Sequence, residues 1–270
     1  MSDQGKLPVS AFIIAQDEED RIGRAVESVR DWAAEVIVVD SGSKDRTRVI
    51  AAELGAHVVE NPWPGYGPQK RFAEDLCPRD WLFNLDADEE VTEALVREIR
   101  ALFAAGEPTM DGYRVRIPDV YPHETEPSRW GFGHSQIRLY DRRKGRFSDS
   151  TVHDVVELTQ AARVAWLKSP MKHHSHRSIA SSLEKMNRYS DAQVADMRKR
   201  GRKIGTWRLL FEFPLAFLKA YLFRRSFLRG WWGLVISINY AYSRHLRLAK
   251  AYQAELIDAA RRRDAEGREP

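Results

Sequence analysis

Acidic side chains collect at three places in the N-terminal third of the chain, and each group directly follows an apolar run. The groups are Asp17, Glu18 and Glu19; Asp40 with Ser41; and Asp86 with Asp88. Carboxylates at such spacing repel one another and lose hydration when they are buried. We therefore expect them to face a hard divalent cation, which prefers oxygen ligands, or a ligand that donates hydrogen bonds, such as a ribose or a base.

The pair Asp86 and Asp88 suits a cation that bridges a diphosphate. The intervening Ala87 is small enough for backbone and ligand to approach, and phosphate oxygens would supply the remaining ligands of Mg²⁺ or Mn²⁺. Simpler roles stay open, because two acids before a helix also complement its macrodipole. Asp40 could cap a helix, and Asp17–Glu19 could form a solvated turn. The recurrence of acids after three strand candidates favours a binding site.

The runs before the acids have the character of buried strands. Compact β-branched runs alternate with helical periodicity, which is typical of a parallel sheet covered by helices on both faces. The predicted elements are strands Val9–Ala15, Glu35–Asp40, Ala56–Asn61 and Trp81–Asp88, with a helix from Glu89 to Gly106 after the last. Ligands of such sheets lie outside the carboxyl ends of the strands, so the acids converge if their strands are neighbours. The absence of GxGxxG after the first strand and of GxxxxGK[ST] anywhere excludes typical dinucleotide-binding and P-loop domains.

The chain changes character at Gly112. Residues Gly112–Tyr121 and Ser135–Arg143 alternate polar and apolar side chains, as half-exposed antiparallel strands do. A helix is predicted over Ser178–Gly201, and two apolar, aromatic and basic segments follow it. From Arg198 to Lys250 there are thirteen Lys and Arg residues and one acid, although the whole chain carries only +4. An acidic first part and a basic, aromatic second part indicate two different tasks.

The composition is that of a globular protein, with 270 residues of which 43% are hydrophobic and 30% charged. The single cysteine, Cys77, excludes an intramolecular disulfide, so nothing indicates an oxidising compartment. The N-terminal segment lacks the basic region and the long apolar run of a signal peptide. We therefore expect the protein in the cytoplasm or on a membrane face turned towards it.

Several segments resemble a known family. VSAFIIAQDEEDRIGRAVESV, EVIVVDSGSKDRT and WLFNLDADEE resemble the N-terminal motifs of the family 2 inverting glycosyltransferases. PWPGYGPQKRFA, LDADEEV and TVHDVVEL resemble the bacterial lipopolysaccharide core branch of that family, and the likeness extends over roughly Leu7 to Tyr242. The family has Asn where Asp17 stands and Thr where Lys44 stands, and neither departure removes an acid. The resemblance implies the GT-A fold, an α/β fold with a Rossmann-like mixed sheet flanked by helices.

The resemblance implies an inverting transfer of a sugar from a nucleotide-diphosphate donor, such as a UDP-sugar, to a lipid-linked glycan of the lipopolysaccharide core. Asp86 and Asp88 would form the DXD motif that binds the metal, Mg²⁺ or Mn²⁺, and the donor. A cation at Lys70 would offset diphosphate charge, although a solvated helix lysine is the simpler reading. The donor-binding residues so implied are Asp17, Glu18, Glu19, Asp40, Ser41, Lys70 and Asp86.

An inverting displacement also needs a base that takes the proton of the acceptor hydroxyl. The second half offers Asp149, His153 and Asp154, and the family has a Val-His-acid motif near the donor sugar. We predict Asp154 as the base, with His153 orienting it or completing the metal shell. The alternative is an exposed pair at a strand edge.

Two further groups are candidates for contacts with the sugar or the diphosphate. Trp130 and Gly131 could form a sugar-stacking lip on a loop or a simple plug in the core. The spacing of His173, His174 and His176 resembles a metal cluster, but no acid or cysteine stands with them and a diphosphate-bound metal prefers oxygen. We therefore predict His173 only as a diphosphate contact or as a group behind the metal ligands.

The C-terminal region has no run of eighteen apolar residues, so no transmembrane span is predicted. Aromatic and basic residues mixed along helices suit an anionic membrane surface, and they are compatible with a homo-oligomer interface. Nucleic acid would leave the acids unexplained. We predict a GT-A domain over 1–175 and a helical membrane-docking or oligomerisation region over 176–270, peripheral on the cytoplasmic face of the inner membrane.

Two other functions fit parts of the sequence. A non-catalytic protein that binds nucleotide sugars or acts as a scaffold would need the donor site without turnover. A sugar nucleotidyltransferase also uses metal-bound acids on an α/β sheet. That class has a glycine-rich, basic loop after the first strand, where this chain has the acidic AQDEED.

Overall fold

The computed structural model describes residues 5–128, 131, 133–151, 154–199, 201 and 205–266, without the side chains of 265 and 266. The strands in this part are β1 (Leu7–Ala15), β2 (Ala33–Asp40), β3 (His57–Glu60), β4 (Trp81–Asn84), β5 (Glu89–Val91), β6 (Gly112–Pro118), β7 (Gly133–Asp141), β8 (Gly145–Phe147), β9 (Val156–Leu158), β10 (Val164–Trp166) and β11 (Met171–His173). The α-helices are α1 (Ile22–Arg30), α2 (Thr47–Glu53), α3 (Tyr66–Leu76), α4 (Glu93–Leu102), α5 (Ile179–Lys199), α6 (Trp207–Leu218) and α7 (Gly230–Glu266).

The main sheet of the described chain has the order β10-β6-β7-β4-β1-β2-β3. Strands β4, β1, β2 and β3 run parallel, whereas β7 is antiparallel to both β4 and β6. The sheet is therefore mixed, and its parallel part is the part predicted from the alternation of apolar runs and helices. The prediction of a mixed α/β fold is confirmed.

Both faces of the sheet are covered, which explains why β1 is apolar at nearly every position. Val9 and Ile13 join a core cluster that includes buried residues of α1 and α4. Phe12 and Ile14 join a second cluster that includes Ala73 of α3. Successive side chains of a strand point to opposite faces, so a strand buried on both faces carries no polar alternation.

The helix predicted from Glu89 begins later than expected. Glu89–Val91 form β5, which pairs antiparallel with β11 in a separate two-stranded ladder. Helix α4 starts at Glu93 because Thr92 caps it, with its side-chain oxygen accepting the backbone N–H of Leu95 at 3.2 Å. The pairing partner of β5 lies far along the chain, which the local helical pattern could not show.

Contacts between residues divide the chain into two compact units. The first comprises Met1–Pro127 and Gly133–Ser175, and the second comprises Ser128–Phe132 and His176–Pro270. Within the second unit, α5 and α6 both pack on α7. A π-helical turn, Lys219–Phe223, extends α6, and a short 3-10 helix, Ser226–Arg229, precedes α7. Among the described residues, no helix has both the length and the apolar character needed to cross a membrane.

Candidate active site

The carboxyl ends of β4, β1 and β2 lie side by side, as the sequence predicted. Ala15 is in register with Asp40, and Phe12 is in register with Asn84. The chain leaves each of these strands at the same edge and continues directly into one of the three acidic groups. This edge is therefore where the structure gathers most of the predicted donor-binding residues.

The loops that follow β1 and β2 are joined by hydrogen bonds of the predicted acids. The backbone N–H of Asp17 donates to Oγ of Ser43 at 2.9 Å, and Oδ1 of Asp17 accepts the N–H of Lys44 at 2.8 Å. The N–H of Glu18 donates to Oγ1 of Thr47 at 2.8 Å. Asp17 has a left-handed φ of 54°, which turns the chain towards the second loop. The two loops thus form one paired platform.

Asp40 is fully buried and shapes its own loop. Its Oδ1 accepts the backbone N–H groups of Gly42 at 3.0 Å and Ser43 at 2.8 Å, and its Oδ2 accepts the hydroxyl of Ser43. Oγ of Ser41 accepts a hydrogen bond of 3.0 Å from Nε2 of Gln69, on α3. Oε2 of Glu19 accepts a hydrogen bond from the backbone N–H of Arg46. The contacts of these acids with a nucleotide stay predictions, since each acid here orders backbone.

Lys70 is the buried cation of the site. Its Nζ donates to Oδ1 of Asp86 at 2.8 Å, to Oδ2 of Asp154 at 2.5 Å and to Oδ1 of Asn84 at 3.2 Å. It also lies 5.0 Å from the centroid of the Phe147 ring. An ammonium with no exposed surface needs such partners to stay charged. The structure therefore rejects the simpler reading of Lys70 as a solvated helix lysine.

Arg138, on β7, is a second fully buried cation, which sequence reasoning missed. Its guanidinium donates to Asn84 at 2.6 Å and to Asp86 at 3.1 Å, and it also pairs with Glu89. Burial by itself would raise the pKa of Asp86, but Lys70 and Arg138 hold it well below the ordinary range. Burial raises the pKa of Glu89 to about 7, although Arg138 acts against the rise. Asp86 is therefore a firmly ionised carboxylate with both oxygens engaged.

Asp88 faces a different partner from Asp86. Its Oδ2 lies 3.5 Å from Nε2 of His173, and Nδ1 of His173 lies 2.8 Å from Oδ1 of Asp119. Burial lowers the pKa of His173, but the hydrogen bonds to Asp119 and Asp88 outweigh it and raise the value to about 10. Burial by itself would raise the pKa of Asp88, but the hydrogen bond from His173 outweighs burial, so the pKa of Asp88 is lowered.

Arg21 joins the loop after β1 to the DXD segment. Its Nε donates to Oε2 of Glu18 at 2.8 Å, and its Nη1 donates to the carbonyl oxygen of His174 at 3.0 Å. The same Nη1 lies 3.5 Å from Oδ2 of Asp88. A permanent cation beside Asp88 leaves this part of the site less negative than the sequence indicates.

The histidines at 173, 174 and 176 have separate partners. Nε2 of His174 lies 2.9 Å from Oε2 of Glu90. In the second unit, Nδ1 of His176 lies 3.2 Å from Oγ of Ser182. The described residues contain no group of three or more His, Cys, Asp or Glu side chains placed to hold a metal ion. Each histidine has its own partner.

Asp88 and His173 nevertheless fit one side of a divalent cation. They offer a carboxylate oxygen and an imidazole nitrogen, and the hydrogen bond between Asp119 and Nδ1 leaves Nε2 of His173, which lies 3.5 Å from Asp88, as the nitrogen that would bind the ion after losing its proton. Mg²⁺ and Mn²⁺ take few protein ligands where substrate phosphates supply the others. Asp86 would adjoin the ion only by giving up a contact to Lys70 or Arg138.

Two glycines of the PWPGYGP segment allow the chain carrying Asp154 to approach α3. A Cβ on Gly67 would lie 2.2 Å from the carbonyl oxygen of Ser148, and a Cβ on Gly65 would lie 2.8 Å from Cα of Thr151. The N–H of Gly67 donates to the carbonyl oxygen of Ser150 at 2.9 Å. This close packing brings Asp154 to Lys70.

Three predicted residues cannot be placed against the site. His153 and Trp130 lie outside the described residues. Gly131 forms a turn with its N–H donating to the carbonyl oxygen of Ser128 at 2.8 Å, within the second compact unit. Their roles towards a sugar or a metal stay predictions.

Sequence reasoning missed four charged partners in the site: the cations Arg21 and Arg138 and the acids Glu89 and Asp119. A signal existed for Arg138, because it interrupts an otherwise apolar stretch, Ile137–Tyr140, that is buried in the sheet. A charged residue in such a position needs a buried partner of opposite charge. Asp119 carried no comparable signal, since its partner follows 54 residues later.

Comparison with known proteins identifies relatives over most of the chain. The family model described as Glycosyl transferase family 2 matches residues 10–169. An uncharacterized glycosyltransferase of Rickettsia felis is 39% identical over 256 residues, which cover 92% of this chain and 90% of the relative. The lipopolysaccharide core biosynthesis glycosyltransferase LpsC of Rhizobium meliloti is 32% identical over 94% of this chain and 95% of its own length.

Among solved structures, this chain is similar to glucosyl-3-phosphoglycerate synthase of Mycobacterium tuberculosis, crystallised with Mn²⁺, UDP and glucosyl-3-phosphoglycerate. The sequence identity is 25%, the match covers 43% of this chain and 44% of the other, and the TM-score is 0.31.

Proposed function

The chain belongs to glycosyl transferase family 2 and is a glycosyltransferase, and from this premise we propose its reaction. It moves a sugar, with inversion at the anomeric carbon, from a nucleotide-diphosphate donor to a lipid-linked glycan. UDP is the first candidate for the nucleotide. The full-length similarity to LpsC, which is named for lipopolysaccharide core biosynthesis, supports that core as the acceptor. We place the enzyme as a peripheral protein on the cytoplasmic face of the inner membrane.

One observation carries the proposal: a single buried ammonium, Lys70, is shared by a DXD acid and the acid predicted as base. A donor diphosphate at the edge of the sheet would compete with Asp154 for Lys70, because it carries more negative charge than one carboxylate. Donor binding would then release Asp154 from its ion pair. The base becomes available only when a donor is present.

The transfer itself is a single displacement. The acceptor oxygen forms a bond to the anomeric carbon while the bond from that carbon to the diphosphate oxygen breaks. The proton of the acceptor hydroxyl moves to Asp154, and the electron pair of the broken bond leaves on the diphosphate. Lys70 lies where it can remain beside that developing charge.

A divalent cation held by Asp88 and His173, with Asp86 adjoining, would stabilise negative charge on the diphosphate. The protein's contribution is to keep these ligands in place. Asp119 orients His173, and Arg138 holds Asp86 ionised and directed at the site.

Thermal unfolding with added nucleotides tests donor binding first. UDP, GDP, dTDP, CMP and ADP would each be added with Mn²⁺, with Mg²⁺ or with EDTA, since a ligand of the folded state raises Tm by mass action. We expect one nucleotide to raise Tm and EDTA to abolish the effect. Asp88→Asn should remove the metal-dependent part; an unchanged shift in that variant would contradict the DXD assignment.

Transfer is tested with the donor sugar of the nucleotide so found and a truncated lipopolysaccharide core as acceptor. The product should carry the new linkage in the configuration opposite to that of the donor. Donor binding without any transfer would support the non-catalytic reading. Release of pyrophosphate from a nucleoside triphosphate and a sugar phosphate would support a nucleotidyltransferase.

A further inference from the structure

Helix α6 and the π-helical turn after it are largely apolar on both faces, including the face turned to solvent. The face of this segment that is turned to the protein buries Ala216 and Ala220, and its half-buried side chains include the apolar Leu209, Phe213, Phe217 and Tyr221. On the same face, Glu212 accepts hydrogen bonds from Arg208 at 3.2 Å and from Arg244, on α7, at 2.8 Å. A surface helix normally buries its apolar side chains and exposes its charged ones.

The opposite face is exposed and almost wholly apolar. Its side chains recur at helical spacing and form one stripe, the α6 stripe, which consists of Trp207, Leu210, Phe211, Pro214, Leu215, Leu218, Leu222 and Phe223. Leu210 is 74% exposed, Leu215 is 60% exposed and Phe223 is 82% exposed. Near it in sequence, Trp231 at the start of α7 is 84% exposed. Contiguous exposed apolar surface marks a site of interaction.

The charges beside the stripe are all positive. Lys219, Arg224 and Arg225 are exposed at the C-terminal end of this helical segment. Between Phe213 and Ala254 the sequence contains seven Lys and Arg residues and no Asp or Glu. The surface next to the stripe therefore attracts an anionic partner.

We propose that the α6 stripe is a membrane-insertion surface and that its partner is a bilayer with anionic lipid. The helix lies in the plane of the interface, with the stripe among the acyl chains and the basic side chains in the headgroup layer. Lys219 stands within the stripe, and its long side chain can extend to the headgroups. The exposed side chains of Trp207 and Trp231 would lie at the boundary between headgroups and acyl chains, where tryptophan is enriched.

A bilayer fits better than a second copy of this chain. In a two-fold symmetric dimer the same patch meets itself, so Lys219, Arg224 and Arg225 would be brought towards their own copies without an acid between them. An anionic bilayer instead places negative charge beside these basic side chains. The inference concerns the second compact unit and does not rest on the transfer reaction.

The test uses the full-length chain and vesicles of phosphatidylcholine, with or without phosphatidylglycerol, in a flotation assay. We expect binding to the vesicles with phosphatidylglycerol and weaker binding to those without it. The double variant Leu210→Ser/Leu215→Ser should lower the partition constant by roughly tenfold or more, since two exposed leucines leave the acyl region. The matched control is Leu256→Ser/Ile257→Ser, which removes two exposed apolar side chains of α7 outside the stripe.

The basic side chains are tested separately. Lys219→Gln/Arg224→Gln should reduce the preference for phosphatidylglycerol while keeping residual binding through the stripe. Raising the salt from about 0.1 to about 1 M should act in the same direction, because the Debye length falls from about 10 to about 3 Å.

Brominated lipids give an independent reading of depth, because they quench tryptophans that enter the bilayer. Trp207→Phe and Trp231→Phe should each remove part of the quenched signal, whereas Trp63→Phe, in the first unit, should not.

Equal binding of the stripe variant and the wild type would overturn the proposal. So would unchanged vesicle binding with a shift from dimer to monomer in light scattering, which would assign the stripe to a second copy. Nucleotide-induced Tm shifts should be the same in all stripe variants, so failure here is distinct from failure of the donor site.

Discussion

Lys70 Nζ lies 2.5 Å from Oδ2 of Asp154 and 2.8 Å from Oδ1 of Asp86. These two carboxylates belong to distant parts of the chain, and a single ammonium with no exposed surface holds them together. Removing any one of the three leaves charge unbalanced in a region that water reaches only in part. Variants at the three positions are therefore expected to differ in which property they lose: transfer, donor binding or stability.

Asp154→Asn keeps the size of the side chain and removes its ability to take a proton. Transfer should fall by about 10²- to 10⁴-fold, the usual contribution of a general base, while the Tm shift caused by the donor nucleotide is retained. Kinetics of transfer and thermal unfolding on the same preparation check this. Asp149→Asn, an exposed acid of the same segment, is the matched control; normal turnover in Asp154→Asn would place the base elsewhere.

Lys70→Met removes the cation and leaves Asp86 and Asp154 without their shared partner. The free energy of unfolding should fall by about 3 to 5 kcal/mol, the range for breaking a buried ion pair, and donor binding should be lost. Urea unfolding measures the first effect. Adding Asp154→Asn should restore part of the stability because one unpaired carboxylate is removed. The exposed Lys44→Met should change stability by under about 0.5 kcal/mol; a similar loss in both lysine variants would contradict the special role of Lys70.

Gly67→Ala tests whether close packing positions Asp154. The new Cβ would lie 2.2 Å from the carbonyl oxygen of Ser148, so the 148–151 segment must move. We expect transfer to fall more steeply than donor affinity, since the base moves away while the acids after β4 stay. Gly23→Ala, where a Cβ meets only side-chain carbons at 3.5 and 3.7 Å, should be neutral. Equal activity of the two variants would show that the position of this segment is unimportant.

Cys77 predicts a pH dependence of stability. Burial raises the pKa of its thiol from 9.0 to about 12 in the folded protein. Above pH 9 the unfolded chain releases this proton first, so the free energy of unfolding should fall as the pH rises from 9 towards 12. Cys77→Ala should flatten that fall. In the native protein at pH 8, a thiol reagent should react with Cys77 far more slowly than after unfolding; rapid native reaction would mean that the thiol is accessible.

The convergence of the acids was predictable because it follows from a rule about parallel sheets. Apolar runs ending in acids identify the strands, and ligands of such sheets lie at the carboxyl ends. The adjacency of β4, β1 and β2 then places Asp17, Asp40 and Asp86 at one edge. Family resemblance added Lys70 and Asp154, which belong to a helix and a loop and follow from no sheet rule.

The sequence marks Arg138 as a buried charge, but which groups pair with each other could not be predicted, since these pairs join distant parts of the chain. Arg138 meets Asp86 across a separation of 52 residues, and His173 meets Asp119 across 54. The start of α4 was predicted wrongly for the same reason, because β5 exists only through its pairing with β11. Local propensity carries no information about either partner.

The β5–β11 ladder also limits how this chain can change in evolution. His173 is in register with Glu89, and Met171 with Val91, so His173 and Met171 share a face while Lys172 points the other way. Inserting one residue ahead of Lys172 would bring Lys172 into the place of His173, and deleting one there would bring His174 into it, whereas a change of two residues keeps the face. Descendants of this sequence are thus free to vary the connections around the ladder in any number, but within it only in even numbers.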